Sequence, residues 1–201
     1  MGMAVFTEHY RNNGWGCEES RSGTGSTVLQ TAVIRNALPQ IVRDFRVQSI
    51  LDIPCGDFNW MKLLDLPLTY TGADFVDEIA AENHRLYSNG TRSFHRLDLT
   101  ADPLPPADLL LCRDCLPHFS FGNIFKALDN IRRSGSGLLL TSTYPRLERN
   151  RDIVTGEWRR LNLQIPPFSL PEPLLLLDEQ CPDPASPDKS LALWRISDLH
   201  S

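Results

Sequence analysis

The sequence predicts an α/β fold built on a seven-stranded, mostly parallel sheet, with helices on both faces and an antiparallel pair of strands at the C-terminal edge. Short apolar runs alternate with helical patterns between residues 28 and 143, and two late apolar runs follow with only a Pro-rich connection between them. Strand–helix alternation is typical of a parallel sheet, whereas the Pro-rich connection permits antiparallel neighbours. The length of 201 residues suffices for one domain with a complete core, which we assign to residues 1–201.

The predicted elements follow from hydrophobic spacing along the chain. The first helix covers residues 28–45, where apolar side chains recur at helical intervals and Pro39 favours a kink or a break. The later elements, in order, are the strand SILDI, the short helix NWMKLLDL, the strand TYTGADF, the helix VDEIAAENHRLY, the strands SFHRLDL and DLLLCR, the helix FGNIFKALDNIRRS, the strand GLLLTSTY, and the late strands LLLLDE and SLALWRI.

Two segments fall outside this alternation. Residues 1–27 are polar and irregular, and their aromatic residues and glycines predict a lid over a ligand site, with a frayed terminus as the alternative. Residues 144–172 are rich in Arg and Pro without a sustained period, which predicts a loop on the substrate side of the site.

Composition narrows the class of partner. The net charge of -5 disfavours a broad nucleic-acid surface, so we expect a small-molecule substrate. No apolar run reaches the roughly 20 residues of a membrane span, and the N-terminal residues lack a secretory pattern. The five scattered cysteines fit a reducing compartment better than a disulfide framework, and their spacing does not complete a metal site. We therefore expect a cytoplasmic protein without a membrane partner or a metal, and leave its oligomeric state open.

Polar residues mark the ends of the predicted strands, where open parallel sheets bind their ligands. In chain order they are Asp52, Gly56 and Asp57 after strand one, Asp74 at strand two, Asp98 at strand three, and Arg113 and Asp114 at strand four. An acid ending strand two can accept both hydroxyls of a ribose, and its spacing from Gly56 is close to the ~20 residues of a nucleoside-binding fold.

The turn after strand one favours one nucleoside cofactor over another. It lacks the GxGxxG pattern, because Pro54 and Cys55 stand where glycines are usual. Asp52 and Asp57 would repel a pyrophosphate but suit the ammonium group of an amino-acid tail. The turn therefore points away from a nicotinamide dinucleotide and towards S-adenosyl-L-methionine.

The stretches LDIPCGD, YTGAD, RLDL, LLLCRD and GLLLTSTY, with two late strands, resemble a class I S-adenosylmethionine-dependent methyltransferase over roughly residues 28–196. ESRSGTGST, LDIPCGDFNWM and CRDCLPHFS are similar to a bacterial methyltransferase-like group of unknown substrate. The resemblance implies a Rossmann-like sheet and transfer of a methyl group from S-adenosyl-L-methionine to a small polar acceptor. It also implies that Asp52 and Gly56 surround the methionine moiety, that Asp74 holds the ribose, and that Asp98 lies beside the adenine amino group.

Catalytic candidates follow strand four. His118 lies where the acceptor and the methyl group would meet, and is predicted to be a general base, with helix capping or packing beneath the loop as the alternative. Asp114 is predicted to orient His118 or to contact the cofactor. Arg113 is assigned to cofactor binding, with a surface ion pair as the alternative.

The predicted substrate-side loop carries guanidinium and aromatic groups. Fixed guanidinium groups suit the recognition of a carboxylate or phosphate, and the alternative is a solvated loop whose arginines pair with its own acids. The predicted substrate-binding residues are Tyr144, Arg146, Arg151 and Trp158.

Two alternative functions stay open at this point. A nicotinamide-dependent oxidoreductase could use a similar sheet, but the missing GxGxxG turn counts against it. A non-catalytic module could bind S-adenosyl-L-methionine without transferring its methyl group, and a lost cofactor acid would indicate it. All the predicted cofactor acids are present.

Overall fold

The computed structural model describes residues 3–199. Four residues of the predicted domain, 1, 2, 200 and 201, lie outside the described residues. Residues 1 and 2 also belong to the predicted lid. The strands are β1 (Ser49–Asp52), β2 (Thr69–Asp74), β3 (Arg92–Arg96), β4 (Leu109–Cys112), β5 (Leu138–Thr143), β6 (Leu175–Asp178) and β7 (Ser190–Arg195). The α-helices of the described residues are α1 (Ala4–Arg11), α2 (Ala32–Asp44), α3 (Asp77–Tyr87) and α4 (Phe121–Arg133).

The strands form one mixed sheet in the order β3-β2-β1-β4-β5-β7-β6. The first five strands pair in parallel, and β7 runs antiparallel between β5 and β6. This arrangement confirms the predicted α/β fold and its antiparallel C-terminal edge. The order of the strands reverses between β1 and β4, with β2 and β3 on one side of β1 and β4 and β5 on the other, so the carboxyl ends of β1, β2 and β4 border one crevice.

The core lies on both faces of the sheet. In β4, Leu110 faces the layer that contains α4, whereas Leu109 and Leu111 face the layer that contains α2. A strand buried on both faces reads as a continuous apolar run, which explains why LLLC shows no alternation. Each helix described in residues 3–199 is too short or too polar to cross a lipid bilayer.

Three local predictions differ from the structure. Residues 4–11 form α1 rather than an irregular segment, and this helix packs against distant parts of the chain, as in the contact of Phe6 with Phe119. The stretch NWMKLLDL forms only a short 3₁₀ turn over Met61–Leu63, because the chain is already extended at Leu64. Helix α2 begins at Ala32 and continues through Pro39.

Candidate active site

A cavity of about 550 Å³ lies at the carboxyl ends of β1, β2 and β4, within the range of small-molecule sites. The N-terminal segment and the loop after β5 complete its walls. The predicted site residues that line it are Asp52, Gly56, Asp74, Arg113, Asp114, His118, Tyr144 and Trp158. Asp57, Asp98, Arg146 and Arg151 are not part of the lining.

Asp52 is a buried carboxylate at the end of β1. Its residual exposure is 3%, and the Tyr70 hydroxyl of β2 donates a hydrogen bond of 2.7 Å to its Oδ2. Burial raises the pKa of Asp52 to about 7, a shift that the nearby Asp74 carboxylate reinforces. A cation in the cavity would reverse this shift, because it favours the ionised form of the acid.

Asp74 ends β2 and is fixed by the backbone around it. Its Oδ2 accepts the amide of Gly56 at 3.1 Å, and its Oδ1 accepts the amide of Val76 at 3.0 Å. Burial raises the pKa of Asp74 to about 6, although these backbone hydrogen bonds oppose the shift. A carboxylate has about four acceptor positions, and the amides of Val76, Gly56 and Phe75 engage three of them, so Asp74 keeps one for a ligand.

The walls beyond Asp74 are apolar. They are formed by Phe75, Val76, Ile79, Leu97 and Leu99. Asp98 lies between two of these residues, but its Oδ1 accepts the amide and hydroxyl of Thr100, at 2.8 and 2.7 Å. Strand β3 ends at Arg96, so Asp98 belongs to the following turn and its carboxylate stabilises that turn.

Asp57 anchors the N-terminal segment. Its carboxylate accepts the hydroxyls of Ser20 and Ser22 and the amide of Arg21. The segment packs so closely that a Cβ on Gly56, which has a φ of 56°, would clash with the Ser22 hydroxyl. Residues 22–26 therefore form a wall of the cavity, and the anchoring contacts of Asp57 explain why it points away from the cavity lining.

Arg113 and Asp114 belong to a group of four charges in which Arg113, Glu179 and Lys189 are buried and the Asp114 side chain is 28% exposed. The Arg113 guanidinium contacts the carboxylates of Asp114 at 3.1 Å and Glu179 at 2.5 Å. The Lys189 ammonium contacts Asp114 at 2.6 Å and also lies 3.8 Å from Glu179. Burial alone would lower the pKa of Arg113, but the two carboxylates hold it above its usual value. Burial alone would raise the pKa of Asp114, but Arg113 and Lys189 hold it below its usual range.

His118 lies in a 3₁₀ turn, Leu116–His118, between β4 and α4. Its Nδ1 lies 3.1 Å from the carbonyl oxygen of Glu157. A carbonyl only accepts hydrogen bonds, so Nδ1 carries the proton and Nε2 keeps its lone pair in the neutral ring. Among the contacts of residues 3–199, Nε2 takes part in no hydrogen bond. Burial lowers the pKa of His118 below 6.5, against the opposing effect of the Asp114 charge.

The hydrogen bonds of His118 and Asp114 go to different partners. The imidazole is oriented by the Glu157 carbonyl, whereas Asp114 is held by Lys189, Arg113 and the hydroxyl of Ser142. Asp114 therefore influences His118 through its charge and not through a direct hydrogen bond in the described contacts.

Aromatic rings surround His118 and extend to the loop after β5. Phe6 and Trp15 lie with their ring centroids 6.4 and 6.3 Å from the imidazole, and Tyr144 packs against Trp158 at 6.3 Å. The predicted substrate contacts of Arg146 and Arg151 are not supported, because both side chains are exposed outside the lining.

Several residues of this site carry no sequence signal. Glu179 meets Arg113, and Lys189 meets Asp114, only because β7 inserts between β5 and β6. Arg159 was one of several arginines in a loop, and its burial to 2% exposure depends on carbonyls from the turn before α4. A local sequence pattern does not predict partners that lie so far away along the chain.

Solved structures with a similar fold include several methyltransferases. The N-methyltransferase NodS from Bradyrhizobium japonicum WM9, in complex with S-adenosyl-L-homocysteine, aligns with a TM-score of 0.68 and 14% identity over 95% of this chain and 98% of that one. Human N-acetylserotonin methyltransferase in complex with S-adenosylmethionine aligns with a TM-score of 0.54 and 15% identity over 96% of this chain and 67% of that one.

The chain has the fold of the class I methyltransferases. The methyltransferase domain of bacterial-CtHen1-CN also aligns, with a TM-score of 0.51 and 14% identity over 57% of this chain. The present chain spans 66% of that domain. No protein-family model and no curated protein sequence matches the chain. At these identities the likeness concerns the fold.

Proposed function

We propose that this chain binds S-adenosyl-L-methionine and transfers its methyl group to a small polar acceptor. The observation that carries the proposal is the buried carboxylate of Asp74, which ends β2, lines the cavity and keeps an acceptor position beside the Gly56 turn. An acid at this place in an open parallel sheet suits the two hydroxyls of a ribose.

The other residues of the cavity fit the rest of the cofactor. The apolar walls around Val76, Leu97 and Leu99 suit the faces of an adenine ring. Asp52 lines the cavity with a buried carboxylate, whose charge would stabilise a sulfonium or an ammonium group beside it. Burial raises the pKa values of Asp52 and Asp74 and so disfavours their charged forms. The positive charge of the bound cofactor would favour the charged forms again.

The acceptor would occupy the part of the cavity beside β4 and β5. When bound, S-adenosyl-L-methionine supplies an electrophilic methyl group on a sulfonium centre. His118 would accept the proton of an acceptor hydroxyl or amine on its Nε2, while Tyr144 and Trp158 would contact the acceptor. The protein would gain most of the rate by positioning the nucleophile in line with the methyl group.

The N-terminal segment would act as a cover over both ligands. Met3, Phe6 and Trp15 line the cavity, and α1 extends from Gly156, which contacts Val5, to α3, where Arg11 pairs with Glu78. This placement supports the lid predicted from the sequence. The five free thiols, all within residues 3–199, support a reducing, cytoplasmic setting.

Titration calorimetry with S-adenosyl-L-homocysteine tests the proposal. We expect saturable binding at one site per chain, and no measurable heat with NAD under the same conditions, because the turn after β1 lacks the glycines for a pyrophosphate. Tighter binding of NAD would favour the oxidoreductase alternative, which the structural matches do not support. An absence of heat and of a thermal shift at millimolar S-adenosyl-L-homocysteine would refute the cofactor assignment.

Binding followed by transfer separates an enzyme from a binding module. A screen of small hydroxyl and amine compounds with methyl-labelled S-adenosyl-L-methionine should label at least one of them. The outcome also identifies the acceptor used in the kinetic experiments below.

A further inference from the structure

The turn that carries His118 is held by a single short segment of the loop after β5. Residues 156–159 supply a hydrogen-bond donor to each of four consecutive carbonyls of the turn. The backbone amide of Arg159 donates to Pro117 at 3.2 Å, and the amide of Gly156 donates to His118 at 2.9 Å. The Arg159 guanidinium donates to the carbonyls of Leu116 at 2.9 Å and Phe119 at 2.7 Å.

The same segment also holds the imidazole. The Glu157 carbonyl accepts the Nδ1 proton of His118, so the turn and the ring are fixed from one side by adjacent residues of one loop. Because Glu157 acts through its backbone, the direction of its carbonyl depends on how the segment 156–159 is anchored.

Arg159 is the anchor of this segment. Its side chain is buried to 2% exposure, and among residues 3–199 it forms no ion pair with a carboxylate. Burial lowers the pKa of Arg159 to about 10. An ion buried without an ion-pair partner costs free energy that a neutral side chain would not. Its two hydrogen bonds to the turn offset this cost, together with the Phe121 ring, 5.8 Å from the guanidinium carbon, and the charge of Asp152.

We infer that Arg159 is a positioning residue for His118: it binds the turn 116–119 to the loop 156–159 and thereby holds the Glu157 carbonyl against Nδ1. Arg159 is outside the cavity lining and acts only through this turn. The inference rests on the proposed function, because the lone pair on Nε2 is useful only if His118 faces an acceptor. It adds to that function a residue that selects the tautomer of the base.

Heteronuclear NMR of the imidazole nitrogens tests the inference on the free protein. In the parent we expect a neutral His118 with the proton on Nδ1. In Arg159→Gln, which cannot donate to both carbonyls, we expect a mixture of the two tautomers. Arg149→Gln, an exposed arginine of the same loop, is the matched control and should retain the parent tautomer. A folded Arg159→Gln protein with the parent tautomer would overturn the inference.

Two further measurements keep the test independent of the folding of that variant. Arg159→Lys retains the cation but reaches only one carbonyl, and we expect a tautomer mixture between those of the parent and Arg159→Gln. In the parent itself, the amides of Gly156 and Arg159 should be strongly protected from hydrogen exchange. If these two amides exchange as fast as exposed amides, the proposed contact between residues 156–159 and the turn 116–119 is contradicted.

Cofactor affinity separates this inference from the proposed function. Arg159→Gln should bind S-adenosyl-L-homocysteine within about threefold of the parent, while its turnover falls by about 10²-fold, the size expected when a reacting group is misplaced by about 1 Å. If the parent itself fails to bind the cofactor, the proposed function is wrong, and the tautomer measurement still decides whether Arg159 positions His118. Loss of cofactor affinity in Arg159→Gln, with an unchanged His118 tautomer, would instead assign Arg159 a role in the cofactor pocket and overturn the inference.

Discussion

Replacing His118 with alanine is expected to lower the turnover of methyl transfer by about 10²–10⁴-fold, the usual contribution of one general base. The expectation rests on geometry: His118 lines the cavity, the Glu157 carbonyl keeps the proton on Nδ1, and Nε2 has no hydrogen-bond partner among the described contacts. Affinity for S-adenosyl-L-homocysteine should change little, because the role lies with the acceptor. His95→Ala, on the exposed side of β3, is the control and should leave turnover unchanged.

The dependence of the parent's turnover on pH tests the same role of His118. Only neutral His118 can accept a proton, and burial lowers its pKa below 6.5. Turnover should therefore rise with pH through that lowered pKa and level off by neutral pH, and the rise should disappear in His118→Ala. A flat parent profile together with an active variant would remove His118 from the reaction and leave positioning as the source of the rate.

Replacing Arg113 with methionine is expected to lower the free energy of unfolding by about 3–5 kcal/mol, the usual cost of removing one partner of a buried ion pair. The Arg113 and Glu179 side chains are 4% and 2% exposed, so the variant leaves Glu179 buried with only the Lys189 ammonium, at 3.8 Å, nearby. Urea unfolding followed by circular dichroism measures the change.

The control for this prediction is Arg133→Ala at the exposed end of α4, which should change the free energy of unfolding by no more than about 0.5 kcal/mol. If the free energy of unfolding of Arg113→Met lies within about 1 kcal/mol of the parent value, the four-charge group contributes little to stability. Arg113 would then have to be explained by a role in the cavity alone.

The sheet could be predicted from the sequence because most of its strands are short apolar runs that can be recognised without their neighbours. Runs such as LLLC are apolar throughout, and each is separated from the next by a helical pattern or a Pro-rich turn. Helix α1 was missed since its polar sequence gives little signal, and its stabilising contacts, such as that of Phe6 with Phe119, come from far along the chain.

The site was predictable where a residue's role follows from its place at the end of a strand. Asp52 and Asp74 line the cavity for this reason. Asp98 had the same signal, but β3 ends two residues earlier and a Thr100 hydroxyl engages its carboxylate. The partners of Arg113 and His118 could not be predicted, because they depend on how β7 and the loop after β5 fold back onto β4.

The most direct test of the cofactor site is the affinity of Asp74 variants for S-adenosyl-L-homocysteine, measured by titration calorimetry. Asp74→Ala removes the carboxylate that would accept the ribose and should weaken binding by about 1.5–3 kcal/mol, the range for hydrogen bonds to charged groups. Asp74→Asn retains one acceptor oxygen and should recover part of this loss. Asp77→Ala, an acid of the same region whose side chain is 84% exposed, should bind as the parent does. A folded Asp74→Ala protein that binds with the parent affinity would contradict the site proposed here.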